Sequence, residues 1–178
     1  WLSTAFAWKW DEATKTLTFS GQTSMPYYSY GSTDGIDGRP WKDHIGEAKN
    51  VVIKDGIKSV GSCALWNSAT LESVTIPDSV TNIKGDAFHG CRSLTSVTIP
   101  EGVTSIEHSA FSDCSSLASV TIPEGVTSIG REAFDSCTNL TAINFTGTVA
   151  QWTTITKETN AIPSKVTTIH CSDGDTAP

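Results

Sequence analysis

Between Ala48 and Trp152 the apolar residues return with a period of 23. In the clearest copy they are Leu94, Val97, Ile99, Val103, Ile106, Ala110, Phe111 and Cys114, at positions 1, 4, 6, 10, 13, 17, 18 and 21 of the unit. The copy before it opens at Leu71 with Leu-Glu-Ser-Val-Thr-Ile-Pro, and the copy after it at Leu117 with Leu-Ala-Ser-Val-Thr-Ile-Pro. A degenerate copy begins at Ala48 (Val51, Ile53, Ile57, Val60, Ala64, Leu65), and a fading one at Leu140 (Ile143, Phe145, Val149, Trp152). Strict self-similarity at this spacing is the mark of a stacked repeat, in which one unit cannot bury its own apolar surface.

Positions 4 and 6 alternate with hydroxyl residues, the period-2 pattern of a strand with one buried face. Val, Ile and Thr suit that pleated setting. Pro77, Pro100 and Pro123 lack an N–H and so mark where ladder bonding stops. A Glu-Gly or Asp-Ser step then turns the chain, positions 10 and 13 bring it inward again, and Ala-Phe-x-x-Cys reads as one turn of helix. Piling the coils in register, ~4.8 Å apart, lets each apolar residue pack on its counterpart in the next coil. The fold expected is therefore an α/β solenoid, a right-handed coil of 23-residue units with short parallel strands. Its spine is the column Leu65, Phe88, Phe111 and Phe134.

An open solenoid exposes its terminal rungs, so caps are expected at both ends. Trp8 and Trp10, then Leu17 and Phe19, alternate with smaller or polar residues, which predicts a β-hairpin turning at 11–15 with one bulky face. Residues 21–47 read as a loop pinned by Trp41. Beyond the repeats, 151–162 predicts a short helix and 164–170 a last strand, followed by an exit tail. The division is thus 1–47 as an aromatic-rich cap, 48–150 as repeats with units starting at 48, 71, 94, 117 and 140, and 151–178 as a C-terminal cap.

The pattern Leu-x-x-Val-x-Ile-Pro-x-x-Val-x-x-Ile-x-x-x-Ala-Phe-x-x-Cys resembles the BspA-type leucine-rich repeat of bacterial cell-surface proteins. The flanks are similar as well. Residues 17–41 (Leu-Thr-Phe-Ser-Gly, then Met-Pro-Tyr and Pro-Trp) resemble the cap that often precedes such repeats. Gln151-Trp152 and Ile169-His-Cys-Ser-Asp-Gly resemble the segment that often closes them. The sequence departs from the pattern at Ser79, where Gly is usual, and at Ser68, which breaks the cysteine column.

Composition narrows the function. Charged residues are only 17% of the chain, and 22 Ser with 25 Thr give it a neutral, hydroxyl-rich surface. A net charge of −7 argues against a nucleic-acid footprint, which needs clustered cations. No apolar run approaches the ~20 residues of a membrane helix, so membrane insertion is not expected. A start at Trp1 rather than Met reads as a mature or trimmed fragment.

Alternation turns positions 3 and 5 of each unit out of the sheet: Asn50, Ser73, Ser96, Ser119 and Ala142 in one column, Val52, Thr75, Thr98, Thr121 and Asn144 in the other. This flat hydrogen-bonding surface is one candidate binding face, although solvating a sheet explains Ser and Thr equally well and no Trp, Tyr or Arg anchor stands on it. Tyr27, Tyr28, Tyr30 and Trp41, with Asp34, Asp37 and Arg39, form a second candidate that could hold a protein or glycan, or simply cap the end. Five cysteines leave at least one thiol unpaired in a monomer. Cys91, Cys114 and Cys137 read as a buried reduced column, with the state of Cys63 and Cys171 open.

No metal or cofactor is expected. His89 and Cys91 lie on opposite sides of the coil, while Asp34-x-x-Asp37 and Asp173-x-Asp175 fall short of the six or more oxygens calcium takes. Nor is there a nucleophile elbow among the many serines. The resemblance implies a non-catalytic recognition or adhesion module, secreted or displayed at the cell surface, whose partner is an extracellular or surface protein such as a host matrix protein. The alternatives are a passive spacer or accessory domain of a larger chain carrying an enzyme elsewhere, and an enzyme with a site hidden in the caps.

Overall fold

The structure, a computed structural model, describes residues 5–29 and 38–178. Tyr30, Asp34 and Asp37 lie outside them. The described chain is a solenoid of about five turns. Each turn carries a strand that includes positions 3–5, and each but the last a two-residue strand at positions 12–13. The first kind comprises β3 (Asn50–Ile53), β5 (Ser73–Thr75), β7 (Ser96–Thr98), β9 (Ser119–Ile122) and β11 (Ala142–Phe145). The second comprises β4 (Ser59–Val60), β6 (Asn82–Ile83), β8 (Ser105–Ile106) and β10 (Ser128–Ile129).

The two-residue strands, with β12 (Thr156–Lys157), form one uninterrupted parallel sheet in the order β12-β10-β8-β6-β4. The broad face is built otherwise. A hairpin of β1 (Ala7–Asp11) and β2 (Thr16–Ser20) adds in parallel to β3, and β3 to β5. A separate five-stranded sheet then runs β7-β9-β11-β13-β14, where β13 is Thr168–Cys171 and β14 is Gly174–Thr176. No ladder joins β5 to β7, so the expected continuous face is parted once. The last strand predicted over 164–170 is a hairpin instead, because β14 turns back antiparallel on β13.

The third side of each coil corrects the expectation of a helical turn. Position 16 is left-handed in every full unit, at Cys63, Asp86, Ser109 and Glu132, with φ between 50° and 57°. Position 20 is left-handed as well, at Asn67, Gly90, Asp113 and Ser136. A left-handed residue ends helical progression. Its backbone bonding goes sideways instead: Asp86, Phe88 and Gly90 donate to the carbonyls of His108, Ala110 and Ser112 in the next coil, at 2.8–3.1 Å. The intervening N–H groups of Ala87, His89 and Cys91 close three-residue turns on Lys84, Asp86 and Phe88. These backbone groups are thereby used without a helix.

The core is a set of columns. Leu65, Phe88, Phe111 and Phe134 are fully buried, and the phenyl rings stack nearly parallel with centroids 5.0 and 5.4 Å apart. Beside them run the free thiols Cys91, Cys114 and Cys137, whose sulfurs donate to Leu65, Phe88 and Phe111 carbonyls one coil back. The adjoining Cys114 sulfur and burial raise the Cys137 pKa, so that thiol stays protonated. Tryptophans close both ends. Trp41 is inaccessible, meets Phe19 edge-on at 4.7 Å and donates its indole N–H to the Ala64 carbonyl. At the other end α1 (Val149–Thr154) carries Trp152 edge-on against Phe145. Thr148 and Gln151 form a capping box that starts this helix at Val149, and the extended Ile155 ends it after six residues, shorter than the helix expected over 151–162.

Candidate functional site

Every inward residue of the broad face has an outward neighbour. Val97, Val120 and Ile143 are buried, and the pleat therefore turns Ser96, Thr98, Ser119, Thr121 and Asn144 the other way. Ser96 lies beside Ser119, Thr98 beside Thr121, and Asn144 beside Thr121. Upstream, Asn50 stands beside Ser73 and Val52 beside Thr75, and the Ser73 hydroxyl donates to the Asn50 side-chain oxygen at 2.7 Å. Ser73, Thr75, Ser96, Thr98, Ser119 and Asn144 are exposed, and Thr121 is half-buried. The two predicted columns are thus one surface of hydroxyl and amide groups in two blocks, separated between Thr75 and Thr98.

The register also carries the surface past the repeats. Thr16 and Thr18 stand beside Asn50 and Val52, with Asp11 and Lys9 next to them on β1. At the far end Thr168 and His170 stand beside Ala142 and Asn144, and His170 Nδ1 lies 2.9 Å from an Asp175 oxygen. These flanking residues lack the 23-residue period, so the repeat did not point to them. The alternation around Leu17 and Phe19 was the available signal.

The aromatic candidate separates into different roles. Trp41 is core. Tyr28 is half-buried and meets Trp41 edge-on at 5.1 Å, and burial raises its phenol pKa. Arg39, 5% exposed, donates to the Trp66 carbonyl at 2.8 Å and so braces the first coil. Tyr27, 74% exposed, is the ring offered to solvent.

Charge is arranged between coils. Lys49 pairs with Glu72 at 3.0 Å and Lys84 with Glu107 at 2.8 Å, each pair 23 residues apart, and Arg92 pairs with Asp113. Such exposed pairs contribute at most ~1 kcal/mol each. Among the described residues no group of three His, Cys, Asp or Glu side chains is placed to hold a metal ion. None of their helices is long and apolar enough to cross a membrane. His89 is half-buried and stacked on Trp66, with ring centroids 6.2 Å apart.

A solenoid of short parallel strands with a 23-residue period and a leucine, valine and phenylalanine interior defines a leucine-rich repeat protein. The BspA type leucine rich repeat region matches residues 43–160 in six copies, and the chain belongs to that family. Solved structures share its fold. A leucine rich cell surface protein from Faecalibacterium prausnitzii is 24% identical, with a TM-score of 0.60 over 87% of this chain and 41% of its own. The leucine rich repeat protein of T. pallidum is 20% identical, with a TM-score of 0.57 over 93% of this chain and 83% of its own. The pneumococcal vaccine antigen PcpA is 16% identical, with a TM-score of 0.58 over 89% of this chain and 36% of its own. The chain therefore spans about two fifths of the Faecalibacterium protein's length. No curated protein matches it.

Proposed function

We propose that the chain is a non-catalytic protein-recognition module of a secreted or surface-displayed bacterial protein, and that its broad face binds an extracellular or surface protein, a host matrix protein among the candidates. The observation that carries this reading is the exposed surface of Ser73, Thr75, Ser96, Thr98, Ser119, Thr121 and Asn144. These groups are held in register within two blocks of strands, and the opposite side is buried at Val51, Val97, Val120 and Ile143. Rigid backing lowers the ordering cost of binding. Family membership supports it, since leucine-rich repeats are typically interaction scaffolds, and the cell-surface description of the Faecalibacterium protein agrees with the location. Tyr27 adds an aromatic contact at the N-terminal end, with Tyr28 and Tyr30 beside it in sequence.

The test is saturable binding of the 178-residue chain to immobilised extracellular-matrix and serum proteins, against an unfolded control. Ser96→Arg with Ser119→Arg should abolish the binding and leave the melting temperature unchanged, because both side chains point to solvent. Tyr27→Ala should weaken it. A native chain that binds no better than the unfolded control overturns the reading and favours a passive spacer, which a face of short neutral side chains without a Trp, Tyr or Arg anchor also suits.

A further inference from the structure

The parting of the broad face between β5 and β7 exposes what the rest of the repeat buries. Val97 and Ile99 are 4% and 2% accessible and Val120 and Ile122 are inaccessible, yet their counterparts Val74 and Ile76 are only partly buried. An open groove of about 310 Å³ lies there, lined by Val74, Ile76, Ile99 and Pro100, with Asp78 and Glu101 at one end. Neither carboxylate has a cationic partner among the described residues.

The backbone of the groove is unpaired in a defined way. Ser73 donates its N–H to Lys49, back towards β3. Alternation turns the peptide groups of Val74 and Ile76 towards the gap. From the other bank, the Thr95 carbonyl accepts from Ala118 and Ile99 donates to Thr121, so the peptide groups of Ser96 and Thr98 also face the gap. The two edges face each other with Cα atoms within 8 Å, too close for a third strand, which needs ~4.8 Å to each neighbour. What the groove offers a ligand is its apolar floor and its acidic end.

We propose that this groove is an anchoring subsite for an extended peptide segment of a partner protein. The segment bears an aliphatic side chain and, next to it, a lysine or arginine. Its aliphatic group covers Val74 and Ile76, and its cation lies between Asp78 and Glu101. The apolar pocket supplies affinity and the carboxylates select. The volume, near the lower end of the ~300–1,000 Å³ of ligand sites, suits a few residues of chain. A second copy of this protein fits less well, because the chain carries 19 acidic against 12 basic residues. The proposal rests on the recognition reading above and locates its anchor.

The experiment uses the whole chain and a fluorescent heptapeptide that alternates threonine and valine and has lysine at both ends, followed by anisotropy. Saturable binding that weakens with salt is expected. Asp78→Lys with Glu101→Lys, both at exposed positions, should weaken binding about tenfold, ~1.4 kcal/mol. The same peptide with glutamate ends should not bind. If the native chain binds a matrix or serum protein but takes up no peptide, or the double variant binds the peptide as well as native, the groove is overturned and the recognition reading stands. A native chain that binds no panel protein removes the recognition reading, and the proposal that rests on it falls too.

Discussion

Ser68 stands where Cys91, Cys114 and Cys137 stand in later coils, and its hydroxyl oxygen is buried without a hydrogen-bond partner. The thiols each find a carbonyl one coil back. A buried hydroxyl left unpaired costs about 1–3 kcal/mol, and sulfur tolerates an apolar setting far better. Ser68→Cys should therefore raise stability by about 1 kcal/mol in urea unfolding; an unchanged or lowered midpoint would show that the hydroxyl is satisfied in solution. The inward residues were legible in the sequence because one chemical property, apolarity, repeats at them. The left-handed residues were not. Position 16 is Cys, Asp, Ser and then Glu in successive coils, and without glycine nothing announces a positive φ.

Units opening at Leu71 and Leu94 have the same Ser-Val-Thr-Ile-Pro strand, so no residue of β5 or β7 foretold their separation. What differs is the turn after the strand. Ser79 accepts from the Gly56 N–H and donates to the Ile57 carbonyl, both at 2.9 Å, which ties its turn to the preceding coil. Gly102 then sits so close that an added Cβ would lie 2.0 Å from the Asp78 carbonyl oxygen. One coil on, a Cβ at Gly125 would meet the Glu101 oxygen at an ordinary 3.4 Å. Neither glycine is left-handed, so the contrast is steric alone. Gly102→Ala should lose about 1–3 kcal/mol through overpacking, whereas Gly125→Ala should be neutral or gain up to ~1 kcal/mol from a less flexible unfolded chain. Equal effects in denaturant melts would mean that the turns are not held at these separations. The binding columns were readable from alternation, but their break depends on this spacing between turns, which no single repeat encodes.

In a stack of coils, cooperativity depends on the weakest interface between neighbours. The interface between the units opening at Leu71 and Leu94 lacks the broad-face ladder. It is held by the narrow sheet, the side-turn bonds from Asp86, Phe88 and Gly90, the stacked Phe88 and Phe111 rings, and the Lys84–Glu107 and Arg92–Asp113 pairs. The narrow sheet there includes the Thr104 N–H to Thr81 carbonyl bond of 2.9 Å. One coil further, Thr127 makes the same bond to Thr104 at the same length, but both sheets are intact at that interface. Proline at either position removes the same donor. Thr104→Pro should therefore separate unfolding into two resolved transitions, with the N-terminal coils and the C-terminal coils melting apart. Thr127→Pro removes the N–H and also the hydroxyl donor to the Thr104 carbonyl, as Thr104→Pro does at Thr81; it should lower stability by about 1–2 kcal/mol and keep a single transition. Calorimetry and circular dichroism in urea on the two variants make the comparison. Identical single transitions would show that the parted strands do not weaken the coupling between coils, because the substituted bond is chemically the same and only its surroundings differ.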